Sequence, residues 1–432
     1  MSTANKSIKI ILGVLYPILL FVSTHFGDRN DLSIILVVAT VLPLYFYFLA
    51  DFGSLFGKHF YLFLLYSALL RITVVGSPAV WSDDIYRYLF DARIFLEGIS
   101  PYRYTPQEFI GFIKGDHLGL EPLLSKMNSP NYYSVYPLLL QCFFLLGTLL
   151  GSILGSSFLG VQILLVAVDC LNLYLIRKLY PQTTMESYWL YFGNPIVIFE
   201  GISQMHPEIL LVTGFLLLFG ARSVGSRILF FFLLTQLKLN TFLFVLGFRW
   251  DRKLWVRLAA ISGFSFIVWK VTVFSDLVSQ GSAGIGLFFH SFRFAGILEP
   301  FFYLLLYPFR GEYLSGIFSF IILCCLYILC FKKDILFSFT LQSKFLFIYS
   351  LFLLFSPVIH PWYWIPWILF LVGKEKMGRL VAFVSFLAFL SYGLYVSIDF
   401  VYIHWVISIL VLGYYGKKQI NYFCKTTQNG ED

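Results

Sequence analysis

The run Trp81-Ser82-Asp83-Asp84-Ile85-Tyr86-Arg87-Tyr88-Leu89-Phe90-Asp91-Ala92-Arg93 holds the residues best suited to chemistry. Two adjacent carboxylates, Asp83 and Asp84, stand at a helix start, with Ser82 as the expected N-cap and the acids facing the positive end of the helix dipole. From Asp84 the positions i+3, i+4 and i+7 are Arg87, Tyr88 and Asp91, on one face. Ile85, Leu89 and Ala92 form the other stripe, so an amphipathic helix ending at Gly98 is expected. A carboxylate near an apolar phase has a raised pKa and can take a proton from a hydroxyl. An arginine can hold a phosphate in its fork. A helix start with acids paired to arginines explains the same residues without any chemistry.

The elements that position this run are read from composition. The 432 residues are 59% hydrophobic, 20% aromatic and 12% charged. A soluble domain runs at roughly 45–50% apolar and about 25% charged. A soluble enzyme, a disordered chain and a nucleic-acid binder are therefore excluded. Stretches near 20 apolar residues recur along the chain, among them about 8–24, 32–50, 58–75, 135–152 and 157–176, and about 11–13 crossings are expected. The expected fold is an all-α polytopic membrane bundle over residues 1–432. The longest polar stretch, about 76–134, forms its first outer loop. Lys and Arg in short loops put the N-terminus inside. The stretch 227–248 fits this alternation only if it turns back, and Lys238 and Asn240 near its middle point to a broken, re-entrant helix. The six cysteines form no CxxC pair and no Cys/His metal spacing.

The loop run, followed by Gly98 and Pro101-Tyr102, resembles the first outer loop of the bacterial GT-C glycosyltransferases, in particular those that use polyprenyl-phosphate-mannose. Ser100 stands where that group has Asn. Asn194-Pro195 with Glu200, the altered element His206-Pro207-Glu208, and His360-Pro361-Trp362-Tyr363 follow in the order the family has. The resemblance spans about 80–365. It implies a GT-C-like bundle with amphipathic outer-loop helices, and an acidic outer-loop residue as general base, either Asp83 or Asp84. Asp84 is favoured because it shares a face with Arg87 and Asp91. It also implies inverting transfer of a hexose, mannose being commonest, from a polyprenyl-phosphate sugar to a glycan, glycolipid or protein acceptor. The active site then faces the periplasm or exterior of the inner membrane.

Within that reading Arg87, Arg93 and Lys238 are donor-phosphate candidates. Asp91, Glu200, His206, Glu208, His360, Trp362 and Tyr363 are acceptor or sugar candidates. Lys238 is a functional candidate because a membrane-embedded lysine is costly. Arg293 is placed on an outer amphipathic helix around Phe289–Phe294. Mg²⁺ or Mn²⁺ is left open, and no other cofactor is expected. A transporter or flippase, or a polymerase of lipid-linked saccharides, is the alternative.

Overall fold

The computed structural model describes residues 3–113, 115–116, 118–248, 252–274, 293–309, 311–332, 339–374 and 376–428. The architecture is helical throughout these residues, with one isolated bridge region joining Phe294 and Ala295 to Val358. Among the described residues three helices are long and apolar enough to cross a membrane, or four if the bent pair Val197–Ser203 and Glu208–Gly220 is one span: residues 6–25 within α1 (Thr3–His25), α8 (Ser157–Leu179), and the segment Gly378–Val396. Shorter apolar helices include Leu32–Phe48, Phe60–Ile72, Leu138–Leu154, Val224–Thr235 and Leu341–Phe355. Rows of exposed Ile, Leu, Val and Phe on α1 and its neighbours give the bundle an apolar outer surface. The chain is a multi-pass membrane protein.

Close packing is achieved with small residues, as expected where lipid removes the hydrophobic drive between helices. The helices α7 (Leu138–Leu154) and α8 meet at Gly147, Gly151 and Gly160. A Cβ on Gly160 would stand 2.2 Å from the Gly147 carbonyl oxygen. A buried ion pair joins α8 to further helices. Arg71, at the end of α3 (Phe60–Ile72), donates from Nε to Asp169 Oδ2 at 2.7 Å and from Nη1 to the Phe192 carbonyl at 2.7 Å. Tyr191 Oη and Asn172 Nδ2 also donate to Asp169 Oδ1, and Asn172 bonds the Ile209 carbonyl. With side chains 2% and 0% exposed, this pair fastens α3, α8, α9 (Met185–Phe192) and α10 (Glu208–Gly220) together.

Two breaks in helices matter for the site. After α9, Asn194 Oδ1 accepts from the Ile196 amide, and a π-helical stretch Val197–Ser203 follows. It meets α10 at a bend of 110°. At the corner Met205 has φ 61°, a left-handed conformation that costs a non-glycine residue energy and is found at constrained sites. The second break is the one expected within 227–248. α11 (Val224–Thr235) ends, Lys238 is extended, and a 3₁₀ stretch Leu239–Gly247 follows. Of the region expected as an amphipathic helix around Phe289–Phe294, residues 289–292 lie outside the described residues. Arg293 itself is not helical. It ion-pairs with Glu299 at 3.1 Å, beside the Phe294 bridge.

The loop of about residues 76–134 opens at Gly76 and is stitched to the first break. Gln162 accepts from the Gly76 amide and donates to the Ser77 and Ser203 carbonyls. Gln204 Oε1 accepts from the amides of Trp81 and Ser82 at 3.0 and 3.2 Å. α4 (Asp84–Leu96) starts immediately after this stitch and ends before Gly98, whose φ of 74° suits glycine. Asp83, not Ser82, occupies the N-cap position, and its side chain makes no cap bond because an arginine takes it. α4 is amphipathic in sequence, yet both faces are covered. Ile85, Leu89 and Ala92 are buried, and so are Arg87, Tyr88 and Asp91. It does not lie bare on a surface.

Candidate active site

The start of α4, the two breaks and the His360–Tyr363 turn converge on one place. Asp83 is held by Arg29 from the connection between α1 and α2 (Leu32–Phe48). Nη1 donates to Oδ1 at 2.8 Å and Nη2 to Oδ2 at 2.7 Å, the bidentate fork that best matches a carboxylate. Asn128 Nδ2 adds a bond of 3.3 Å. Asp84 is half-buried and makes no ion pair among the described residues. Burial, then the negative charges of Asp83 and Glu208, push its pKa up to about 7. An Asn128 hydrogen bond and the Lys238 cation oppose the rise. Two adjacent carboxylates are thus separated by environment: one is locked to a cation, the other is poised near neutrality.

Across from Asp84, Lys238 Nζ donates to Glu208 Oε1 at 2.5 Å. The ammonium also lies 3.7 Å from the centre of the Tyr363 ring, a cation–π contact. Glu208 is 2% exposed and Lys238 24% exposed, so the lysine remains reachable while the glutamate forms the floor. Asn128 and Tyr395 are exposed, and Asp83, Asp84, Arg29 and Tyr363 are half-buried. Together they form the accessible rim.

Behind this rim lies a column of rings. His206 and His360 are both nearly parallel to Trp362, at centroid distances of 3.5 and 4.4 Å. With rings about 3.5 Å thick, both would overlap if they shared one face of the indole, so they occupy opposite faces. Phe294 then stacks on His360 at 4.6 Å. Trp362 therefore has no face free for stacking on a sugar. Trp362 and His360, 4% and 9% exposed, form a wall of the site. Glu200 and His206 are wholly buried. Glu200 accepts from Tyr392 Oη at 3.0 and 2.9 Å and lies 3.7 Å from His206 Nε2, so the two brace the wall rather than face a ligand.

The two arginines of α4 are bonded within the protein. Arg87 is 2% exposed and donates to Asp91 at 2.8 Å and to the Ser129 and Tyr132 carbonyls. Asp91 also accepts from Gln141. Arg93 donates to the Leu118 and Gly119 carbonyls. Their charges fold the loop back over α4, because a segment with little regular structure needs donors for its carbonyls. Of the expected phosphate candidates, Lys238 alone stands at the rim. Arg29, Asn128 and Tyr395 were not singled out from sequence. Asp28-Arg29-Asn30 reads as an ordinary polar turn, and nothing local signals a partner 54 positions away. Among the described residues no three His, Cys, Asp or Glu side chains come together as a metal-binding group.

The site thus sets an acidic helix start over a lysine between broken helices in a multi-pass helical membrane protein. Residues 71–251 match the MptA_B family, described as the alpha-(1->6)-mannopyranosyltransferase N-terminal domain. The match includes Asp83, Asp84, Glu208 and Lys238 and supports a GT-C-like mannosyltransferase. No curated protein and no solved structure matches the chain. Arg29 and the His360–Tyr363 turn lie outside the matched stretch.

Proposed function

We propose that the protein transfers a mannosyl unit from a polyprenyl-phosphate sugar to a hydroxyl of a glycan, glycolipid or protein, on the outer face of the inner membrane. Asp84 is the general base. One observation carries this: of two neighbouring carboxylates, Asp84 is the one without an ion pair, held near neutrality at an accessible rim and facing Lys238. The acceptor oxygen attacks the anomeric carbon and its proton passes to Asp84. The bond from that carbon to the phosphate oxygen breaks, and the phosphate leaves with the electron pair. Lys238 meets the charge that grows on the leaving phosphate, the kind of stabilisation that counts most in a water-poor site. Glu208 and Tyr363 hold the ammonium in place. Inversion requires a β-linked donor to give an α-linked product. A polyprenyl tail fits a protein whose outer surface is apolar, and a lipid carrier brings sugar to a side where nucleotide sugars are not made.

The test uses the full-length protein in lipid nanodiscs. It is given synthetic polyprenyl-phosphate β-[¹⁴C]mannose and octyl α-mannoside, an acceptor probe chosen from the linkage in the family's name. An α-linked dimannoside is expected. Movement of the donor lipid without glycosidic product would favour the transporter reading, and transfer from GDP-mannose without the lipid donor would overturn the proposal.

A further inference from the structure

The α1–α2 connection is docked on the start of α4. Trp81 Nε1 donates to the Ser23 carbonyl, and a Cβ on Gly27 would stand 2.4 Å from that same Nε1. This close approach brings Arg29 to Asp83. The guanidinium forks both carboxylate oxygens, reaches the Trp81 carbonyl at 3.4 Å, and lies 4.8 Å from the centre of the Tyr395 ring. The contact joins three parts of the chain: a loop near the N-terminus, the helix α4, and the end of the helical segment Gly378–Val396. Side-chain exposures of 19% and 14% leave the pair only partly wet, so its geometry is fixed while solvent still weakens its charge interaction.

Without a cation on Asp83, two carboxylates would sit side by side at the first turn of α4. Either could take the acceptor's proton, and the positive end of the helix dipole would be shared between them. We infer that Arg29 is a positioning residue for the base: it holds Asp83 in place as a fixed ion pair, so that Asp84 alone is left to accept a proton. The inference rests on the reading of Asp84 as base. The charged and titratable groups around the two acids are Arg29 from the loop after α1, Tyr395 from the end of the helical segment Gly378–Val396, Glu208 and Lys238 from the broken helices, Tyr363 from the His360 turn, and Tyr86, Tyr88 and Tyr136 from the outer loop. Among the described residues Arg29 is the one that ion-pairs with either acid.

The test compares pH profiles of kcat/KM for wild type, Arg29→Gln, Arg29→Lys, Asp83→Asn and the double variant Arg29→Gln/Asp83→Asn. All are full-length proteins in nanodiscs with the donor and acceptor probes named above. Uncovering the Asp83 charge moves the acidic limb of the Arg29→Gln profile up by about one pH unit, and Arg29→Lys restores most of the shift. Asp83→Asn moves the limb down. In the Asp83→Asn background, Arg29→Gln then changes the rate less than about threefold, because independent losses would add and losses through one partner do not. A fall in rate in Arg29→Gln with the limb unmoved overturns the inference. So does an equal loss from Arg29→Gln with and without Asp83. Where Arg29→Gln alone does not fold, the comparison of the double variant with Asp83→Asn decides. Asp84→Asn separates the two readings. If it keeps the rate and the limb, the base assignment falls. If it is inactive while Arg29→Gln leaves the limb in place, only the role of Arg29 falls.

Discussion

Replacing Lys238 by methionine keeps the apolar stem and removes the ammonium that Glu208 accepts from at 2.5 Å. Glu208, 2% exposed, is then left as a buried carboxylate without its cation. Breaking a fully buried pair from one side costs about 3–5 kcal/mol. The lysine here is 24% exposed, so water already reaches one end of the pair and the lower bound of about 3 kcal/mol applies. Loss of the contact with the Tyr363 ring, 3.7 Å away, is part of the same removal and is not added. For a chain of this length that corresponds to a fall in melting temperature on the order of 3–6 °C. The assay is thermal unfolding of the purified full-length protein, followed by tryptophan fluorescence or by size-exclusion after heating, for Lys238→Met, Glu208→Gln and the double variant. The double variant, with neither charge, melts above Lys238→Met, and the coupling from the cycle is about 1.5–3 kcal/mol. Activity separates from stability: the double variant stays folded and still fails to transfer mannose, because no cation meets the leaving phosphate. Equal melting of Lys238→Met and the double variant would refute the reasoning, as would a double variant with wild-type rate.

The Arg71–Asp169 pair is buried at both ends, so Arg71→Met costs about 3–5 kcal/mol and lowers the yield of folded protein, while Arg71→Met/Asp169→Leu recovers much of it. Thermal unfolding checks this, and a double variant worse than either single one contradicts it. Trp362→Phe keeps a ring between His206 and His360 and retains most of the activity. Trp362→Ala opens the column, with a loss of about 3–5 kcal/mol in stability. A Trp362→Phe variant that melts normally but has lost donor or acceptor binding would return the indole to the sugar site. Because the pKa of Asp84 is raised, the base is protonated below about 7 and ionised above it, so kcat/KM climbs with pH through about 7. A rate flat from pH 5 to 8 contradicts that assignment.

The parts of the fold that follow local rules were legible from residues alone. Apolar stretches placed α1, α2 (Leu32–Phe48), α3, α7 and α8 close to their observed ranges, and the lysine in 227–248 marked a break that is present. The break within 197–208 was not foreseen as a 110° corner, since it follows a π-helical stretch whose last carbonyl, that of Ser203, is bonded by the distant Gln162. The same contrast holds at the site. Asp83-Asp84 stood out because adjacent acids are unusual at the mouth of an apolar bundle. Which acid differs from the other depends on Arg29, and no local spacing reveals that partner. Arg87 and Arg93 looked free to bind phosphate because a sequence does not show the carbonyls of 118–132 that use their donors. Trp362 between two histidines read as a stacking platform, and only the fold shows that protein rings take both faces.

Whether Asp84 takes the acceptor's proton is measured most directly by single-turnover transfer from polyprenyl-phosphate β-mannose by wild type, Asp84→Asn and Asp83→Asn. Asp84→Asn is expected to melt no lower than wild type, since its charge is disfavoured where it lies, and to lose about 10²–10⁴-fold in rate. Asp83→Asn loses less and keeps a measurable acidic limb. A folded Asp84→Asn enzyme within tenfold of the wild-type rate would contradict the assignment of Asp84 as the base.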